Sequence, residues 1–313
     1  MNDRKFSLKA EHVLRCAQAA AGELGHGYVG CEHLLLAMLR EEDDAACRAL
    51  NASGVYEPAV RERMIEKLGR GTAERSTVQG LTPHARCAVE LAVGEALQCP
   101  TILDNGFGGH RIEGIGDKHI PWIHNVKNTD MAIAIDDEDS QRLLRLFNTA
   151  EGKKYLKEEL KLSDELIEKL TWLGISGIAN VLCCIKMAKY YELTEDDVVC
   201  TVLTDSAVMY QSRIEELNEM HGAYNAEEAR LDHNLHMLGL KTDSMMELTY
   251  EDRKRIHNLK YYTWVEQQAC DVKDLNALWY DTKGTWDAVH AQAKELDELI
   301  NEFNEATGLL KAL

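Results

Sequence analysis

The sequence predicts a mostly α-helical fold in two parts: an all-α N-terminal part, then an α/β domain with a long helical C-terminal extension. Three observations lead to this prediction. Alanines recur at helical spacing in residues 10–21 and again in residues 85–96, as in a repeated helix face. Residues 130–135 and 198–203 are short apolar runs typical of buried strands. Residues 206–313 carry helical patterning almost throughout.

The N-terminal part contains several short helices with recognisable ends. Ser7 precedes the first as an N-cap, Pro58 lies in the first turn of the fourth, and Gly69 follows that helix. The pair Thr82-Pro83 predicts the start of a fifth helix, after a polar linker over residues 71–80. The first four helices are predicted over residues 8–21, 32–39, 44–50 and 59–68.

The second copy of the repeated face stops where the first continues, so two different pieces of protein are predicted to meet near residues 94–99. The predicted domains are a helical repeat, a truncated second repeat with the junction, a partial α/β domain and a helical extension. Their bounds are 1–80, 81–97, 98–211 and 212–313.

The α/β part begins with the predicted strand at residues 130–135, and the acidic run at residues 136–139 opens the helix after it. Ser163 is a predicted N-cap, and residues 174–177 form a turn ahead of an apolar helix. The predicted helices are 139–147, 164–170, 178–191 and an amphipathic stretch over 286–303.

Composition limits the function classes. The chain has a net charge of −18, of which residues 1–97 carry −2, so an interaction with nucleic acid is not expected. No long apolar run or signal-peptide pattern occurs, so neither a membrane span nor membrane association is predicted. Nine cysteines without a CxxC spacing indicate reduced thiols, and the predicted location is the cytoplasm.

The first 80 residues contain a specific run of motifs. Leu24-Gly25-His26-Gly27-Tyr28-Val29-Gly30 is followed by Glu32-His33-Leu34-Leu35-Leu36. This stretch resembles the N-terminal double-repeat domain of the Clp/Hsp100 unfoldases, and Thr82-Pro83 and Glu90-Leu91-Ala92 resemble the opening of its second repeat. The resemblance implies a module that docks adaptors and substrates without catalysis. The chain contains no Walker A sequence, so it is not expected to be an ATPase.

Three further motifs lie beyond residue 93. They are Gly-Ile-Gly at 114–116 followed by Ile120-Pro121, Gly-Ile-Ser-Gly-Ile-Ala-Asn at 174–180, and Asp205-Ser206 followed by Tyr210. Their order and spacing resemble the C-terminal portion of fold-type-II pyridoxal-phosphate (PLP) enzymes, the cysteine synthase and cystathionine beta-synthase-like group. The resemblance implies a tryptophan synthase beta-like α/β domain, here incomplete, and PLP as cofactor.

The same resemblance assigns five cofactor-binding residues. Ser206 would face the pyridine nitrogen, where a hydroxyl leaves the ring a moderate electron sink. The glycines would let the backbone approach the cofactor plane, and they are Gly114, Gly116, Gly174 and Gly177.

The Schiff-base lysine and the phosphate loop of such enzymes lie upstream of the Gly-Ile-Gly segment, where this chain carries the Clp-like part. Lys9 is interpreted as a solvated lysine and residues 106–109 as a loop. His233 and His236 are interpreted as lying on a solvated helix face. No catalytic residue and no metal site is therefore predicted, and enzymatic activity stays open.

Three hypotheses remain from the sequence. The first is a PLP-dependent lyase or synthase-like protein of amino-acid metabolism, fused to a Clp N-type module and catalytically incomplete. The second is a non-enzymatic protein that docks Clp adaptors or substrates. The third is a recombined reading frame without selected function. The partners considered are a second copy of the chain, a complementing chain, and a protein bound by the Clp-like module.

Overall fold

The computed structural model describes residues 8–41, 44–72, 78, 80–82, 90–195 and 197–308. The described residues divide into two compact units. One contains residues up to 80 together with 122–128 and 257 onward, and the other contains 81–121 and 129–256. The four-domain division expected from the sequence stays a prediction.

The first part of the chain forms the four helices that the sequence predicts. They are α1 Leu8–Leu24, α2 Cys31–Leu39, α3 Ala45–Ala52 and α4 Glu57–Leu68. The Asp44 carboxylate caps α3 by accepting from the Ala46 amide at 2.9 Å. Gly69 ends α4 with φ +75°, a conformation that a side chain disfavours.

A small apolar core joins α1, α2 and α4. Ala20, Leu24, Leu36 and Met64 are all buried against one another. Of the recurrent alanines on α1, Ala17 and Ala21 are fully buried, and a small side chain there lets neighbouring helices approach closely. The first copy of the repeated face, on α1, is therefore a core-facing stripe of the module.

A three-stranded sheet lies in the second unit. Its strands are β1 Ala92–Ala96, β2 Met131–Ile135 and β3 Met245–Glu247, in the order β1-β2-β3. β1 pairs with β2 in parallel, with Gly94 opposite Ile133, and β3 is antiparallel to β2. All five residues of β2 are buried, as predicted for the apolar run at 130–135.

The helix predicted over residues 85–96 is wrong for its second half, because residues 92–96 form β1. Residues 83–89 lie outside the described part of the chain. A Cβ on Gly94 would lie 2.9 Å from the Cys183 sulfur, so the strand passes close to the helix behind it and a larger residue would have to displace that side chain. Pairing with β2 outweighs a weak helical preference at Val93-Gly94.

Most helices of the second unit were predicted. The Ser163 side chain caps its helix as predicted, and Asp136, the first residue of the acidic run, also caps the helix that follows it. The apolar helix starts at Ile175 rather than 178, because Gly174 is its N-cap, so Ser176 lies in its first turn. The helices are α5 Thr101–Asp104, α6 Asp137–Asn148, α7 Ala150–Glu158, α8 Asp164–Leu170 and α9 Ile175–Tyr190.

The strand predicted at residues 198–203 is wrong. The segment is irregular, and Val198 is 81% and Val202 68% exposed. A strand needs a neighbour for its backbone groups, and the sheet of the described residues ends at β1 and β3. The apolar run is typical of a buried strand, but no strand of the described residues lies beside it.

The C-terminal part is largely helical, as predicted. Its α-helices are α10 Gln211–His221, α11 Ala226–His233, α12 Tyr250–Lys260, α13 Val272–Tyr280, α14 Ala288–Ala291 and α15 Ala293–Thr307. Among the described helices none is by itself long and apolar enough to cross a membrane; α8 and α9 meet that criterion only together, across a bend of 111°.

Lys260 at the end of α12 is fully buried and donates to two backbone carbonyls, those of Trp122 at 2.9 Å and His124 at 2.7 Å. Burial lowers the pKa of Lys260 to about 8. Burial and the nearby Lys260 charge lower the pKa of His124 to about 4. The segment 122–128 is thus held to α12 by a buried lysine beside a neutral histidine.

Stability should fall as the pH is lowered from 6.5 towards 4 because of His124. The unfolded chain binds the proton near pH 6.5, whereas the folded chain resists it down to about 4, so acid favours unfolding. We expect a loss of about 1–2 kcal/mol between pH 7 and pH 5 from this group. Urea unfolding followed by tryptophan fluorescence at both pH values measures it. His124→Gln should show a smaller loss, and an equal loss would contradict the assignment.

Candidate functional site

Three of the PLP-like motif segments meet in the second unit. The Gly114 segment approaches the start of α9, where a Cβ on Gly114 would lie 3.3 Å from the Ser176 hydroxyl. That hydroxyl lies 3.1 Å from the Thr204 hydroxyl, and the Gly174 amide donates to the Asp205 carbonyl at 3.0 Å. Segments that are distant in the sequence therefore form one junction, which we call the motif junction.

The five predicted site residues differ in backbone conformation and in how closely other segments approach them. Gly114 has φ +94° and Gly174 leaves no room for a side chain, since its Cβ would lie 1.9 Å from an Asp205 carboxylate oxygen. A Cβ added to Gly177 would make only an ordinary contact with Leu203, at 3.6 Å. Gly116 has φ +80° and its Cβ position lies 2.8 Å from the Ala96 Cβ, at the end of β1.

Ser206 is half-buried at the start of a short 3₁₀ turn, Ala207–Tyr210. Its hydroxyl does not cap that turn, so it does not have the most common role of a serine at such a position. Ser206 follows an irregular segment rather than a strand. Its placement therefore depends on the Gly174–Asp205 hydrogen bond and on the bond from the Ala207 amide to the Thr171 carbonyl at 3.1 Å.

Asp205 is part of the third motif but was given no role from the sequence, and its carboxylate lies at the junction. One carboxylate oxygen accepts from the Tyr210 hydroxyl at 2.5 Å, and the other is buried without a hydrogen-bond partner among the described residues. Burial and this bond raise the pKa of Tyr210 to about 12. An orphaned buried carboxylate oxygen marks a place where a donor would be stabilised.

An open cavity of about 470 Å³ adjoins the junction on the side of the Gly-Ile-Gly turn. Its lining includes Gly114, Gly116, His110 and Lys118, together with Gly108 from the glycine-rich loop. The sequence had indicated only a loop at residues 106–109, and the described loop is indeed without regular structure. The glycine-rich loop and the Gly-Ile-Gly turn together form one wall of this cavity, which the sequence alone did not predict.

The structure contradicts the prediction for His233, the last residue of α11, and for His236, which follows it. His233 is buried and lies 3.1 Å from the Tyr155 hydroxyl, and His236 lies 2.8 Å from an Asp139 carboxylate oxygen. Both are packed structural side chains, so the predicted solvated face is wrong. Lys9, in contrast, is exposed and pairs with Asp44 at 3.3 Å, as expected for a solvated lysine.

The Clp-like part has its own polar centre between α1 and α2. His33 is buried, and its Nδ1 accepts from the Gly30 amide at 3.0 Å while Glu32 lies 3.1 Å from the same nitrogen. His33 Nε2 lies 2.8 Å from His26 Nδ1, within hydrogen-bond distance. His26 Nε2 then donates to the Gly69 carbonyl at 3.1 Å.

This pair of hydrogen-bonded histidines ties the loop after α1 to the end of α4. Next to it the backbones of Gly25 and Gly71 are in direct contact, and the Gly71 amide donates to the Leu24 carbonyl at 2.9 Å. The motif Leu-Gly-His-Gly-Tyr-Val-Gly thus packs the loop after α1 against the end of α4 and forms one end of the module. The sequence indicated the motif but not the histidine contact.

Comparison with known proteins supports the Clp-like resemblance of the N-terminal part. Residues 5–101 match the family model of the Clp repeat (R) N-terminal domain. The chain is 36% identical over 92 residues to the negative regulator of genetic competence ClpC/MecB of Bacillus subtilis, and 34% identical over 92 residues to the chaperone protein ClpB of Oceanobacillus iheyensis. The ATP-dependent Clp protease ATP-binding subunit ClpC of Staphylococcus epidermidis is also 34% identical over 92 residues.

These matches define a Clp repeat domain within the chain and not the whole protein. They cover 29% of this chain and 11% of each of those three relatives. The matched region ends at residue 101, so it includes β1 as well as the four helices. The Clp N-terminal repeat predicted from residues 24–36 is confirmed, and the PLP-like resemblance stays a prediction.

Proposed function

We propose that this chain is a protein-docking module of the Clp type, acting as an adaptor or as a site for substrate docking. The observation that carries the proposal is the match of residues 5–101 to the Clp repeat domain. The described helices of this module pack around an apolar core of their own. A partner would therefore bind to the surface of a folded module and not to exposed core residues. Clp N-type domains bind adaptors and substrates, and the same role is proposed for this one.

The docking face is proposed at the end of the module shaped by the two histidines. Tyr28, 50% exposed, lies in the loop after α1, and Leu68, 57% exposed, is the last residue of α4. The His26–Gly69 hydrogen bond joins these two segments, so both exposed apolar side chains belong to the same end. Aromatic anchors of this kind dominate the energetics of many protein interfaces.

The test is binding of a fluorescein-labelled, permanently unfolded casein to the full chain, measured by fluorescence anisotropy. Tyr28→Ala should weaken binding about tenfold or more, the loss typical of a buried aromatic anchor. Tyr56→Ala is the matched control, because Tyr56 is 54% exposed and lies at the opposite end of α4. Equal losses in both variants would contradict the proposed face. Absence of binding by the unmodified chain would favour the hypothesis of a chain without selected function.

We propose as a second candidate that the motif junction is the ring-facing side of a PLP site. The convergence of the Gly114, Gly174 and Asp205-Ser206 segments favours it, since the resemblance assigns all three to the cofactor. Ser206 would hold the pyridine nitrogen, and the bound cofactor would supply an electron sink for amino-acid chemistry.

The residues present fit only this side of the cofactor. The resemblance places the Schiff-base lysine and the phosphate loop upstream of Gly114, where this chain carries α1 to α4 and β1. The lysine of the adjoining cavity, Lys118, is exposed and follows the Gly-Ile-Gly turn instead of preceding it. The proposal is therefore binding of the ring, and not turnover by this chain alone.

A titration with PLP, followed by the cofactor's absorbance and by borohydride reduction with mass analysis, tests the second candidate. We expect reversible binding that Ser206→Ala weakens, without a stoichiometric adduct on one lysine. Ser212→Ala, on the exposed side of α10, is the control and should bind as the unmodified chain does. Equal binding by both variants would contradict the role of Ser206, and a stoichiometric reduced adduct would contradict the view that the chain lacks its lysine.

A further inference from the structure

His12, Cys16 and Glu41 form a cluster on the Clp-like module that neither the family match nor the proposed docking face uses. His12 and Cys16 are one turn apart on α1, so they project from the same side of the helix. Glu41 follows the end of α2 and reaches the same place. The three side chains offer one nitrogen, one sulfur and one oxygen to a single point.

The distances within this cluster match those of a metal site. His12 Nε2 lies 3.0 Å from Glu41 Oε1, Cys16 Sγ lies 3.4 Å from His12 Nε2, and Cys16 Sγ lies 3.8 Å from Glu41 Oε1. Tetrahedral zinc, with bonds of about 2.0–2.3 Å, separates its ligand atoms by about 3.3–3.6 Å. Each observed separation is within a few tenths of an ångström of that range, so the side chains need only small adjustments.

We propose that His12, Cys16 and Glu41 bind a zinc-like divalent ion with three protein ligands and a fourth position open to water. The donor set favours zinc or cobalt over magnesium or calcium, because thiolate and imidazole are poor ligands for the harder ions. The His12 side chain is 51% exposed and Glu41 32%, so an ion can reach the site without opening the fold.

Binding exchanges one proton for the metal. Burial and the Glu41 carboxylate raise the pKa of the Cys16 thiol, so the ion must displace the thiol proton to form the metal–sulfur bond. In return the ion links the N-terminal half of α1 to the end of α2. Without metal, the His12–Glu41 contact holds the nitrogen and oxygen ligands in place.

Titration of the reduced full chain with Co²⁺ tests the site, because cobalt bound to a thiolate gives a sulfur-to-metal charge-transfer absorption and tetrahedral visible bands. We expect one equivalent of Co²⁺ with both features, displaced by Zn²⁺. Cys16→Ser should abolish the charge-transfer band, and His12→Ala and Glu41→Gln should each weaken binding about tenfold or more.

Cys31→Ser is the matched control, because Cys31 is the exposed first residue of α2 and is not part of the cluster. This variant should keep the full spectrum and affinity. The proposal is overturned if the charge-transfer band survives in Cys16→Ser, or if Cys31→Ser loses it to the same degree. Far-ultraviolet circular dichroism of each variant confirms that α1 and α2 remain folded, so that a lost band reports a lost ligand.

Discussion

Gly25→Ala is expected to destabilise the Clp-like module by about 2–4 kcal/mol. Gly25 has φ +75°, and an added Cβ would lie 2.2 Å from the Gly71 carbonyl oxygen. A backbone oxygen cannot rotate away as a side chain does, so the two segments must separate. Their separation would also weaken the hydrogen bonds from Gly71 to Leu24 and from His26 to Gly69.

The matched control for this substitution is Gly54→Ala. Gly54 has a similar φ of +81°, but nothing lies within 4 Å of the position of its Cβ. It therefore reports the cost of the backbone conformation alone, about 1 kcal/mol. Hydrogen exchange of peptides from residues 8–72, measured by mass spectrometry, locates the loss in the module. Equal protection in the two variants would contradict the backbone contact between Gly25 and Gly71.

Arg145→Ala is expected to cost the second unit about 3–5 kcal/mol, the range for breaking a buried charge network. Arg145 is fully buried on α6. It donates to the Asn218 side chain at 2.9 Å and to the Gly222 carbonyl at 2.7 Å, and it stacks on the Tyr224 ring at 4.7 Å. Glu228 lies 3.8 Å away, so removal of the guanidinium leaves a carboxylate without its counter-charge.

Arg230→Ala is the control for this prediction. Arg230 lies on α11, the helix that also carries Glu228, but its side chain is exposed and its partner Glu159 is 3.7 Å away. An exposed pair of this kind contributes less than about 1 kcal/mol. Urea unfolding with hydrogen exchange over residues 137–233 compares the two variants. If both lose the same stability, Arg145 does not hold α6 to the segment 218–228.

Local signals in the sequence predicted the helices well because their causes are local. Capping side chains act within their own helix, and Ser163 makes the predicted cap, while Asp44 and Asp136 cap helices that the sequence predicts to begin at or near them. The strand at residues 131–135 was equally clear, since a fully buried strand needs a continuous apolar run. The Clp-like motif was recognisable because its glycines and histidines stand at fixed spacing within one short segment.

The errors share a different cause. Residues 92–96 carry a helical alanine pattern but become a strand because β2 is beside them. Residues 198–203 carry a strand pattern but stay irregular because no strand is beside them among the described residues. In both cases the partner in space decided the outcome, and periodicity within one segment contains no information about that partner.

By itself the sequence determined the helical module, its Clp-like character and the three motifs beyond residue 93, because these depend on residue type and spacing along one segment. Only the tertiary structure decided that the three motifs meet at one junction, that His26 and His33 pair at the end of the module, and that His12, Cys16 and Glu41 converge. Those arrangements join residues from different segments of the chain. Their geometry is set by packing between elements, which a local pattern does not specify.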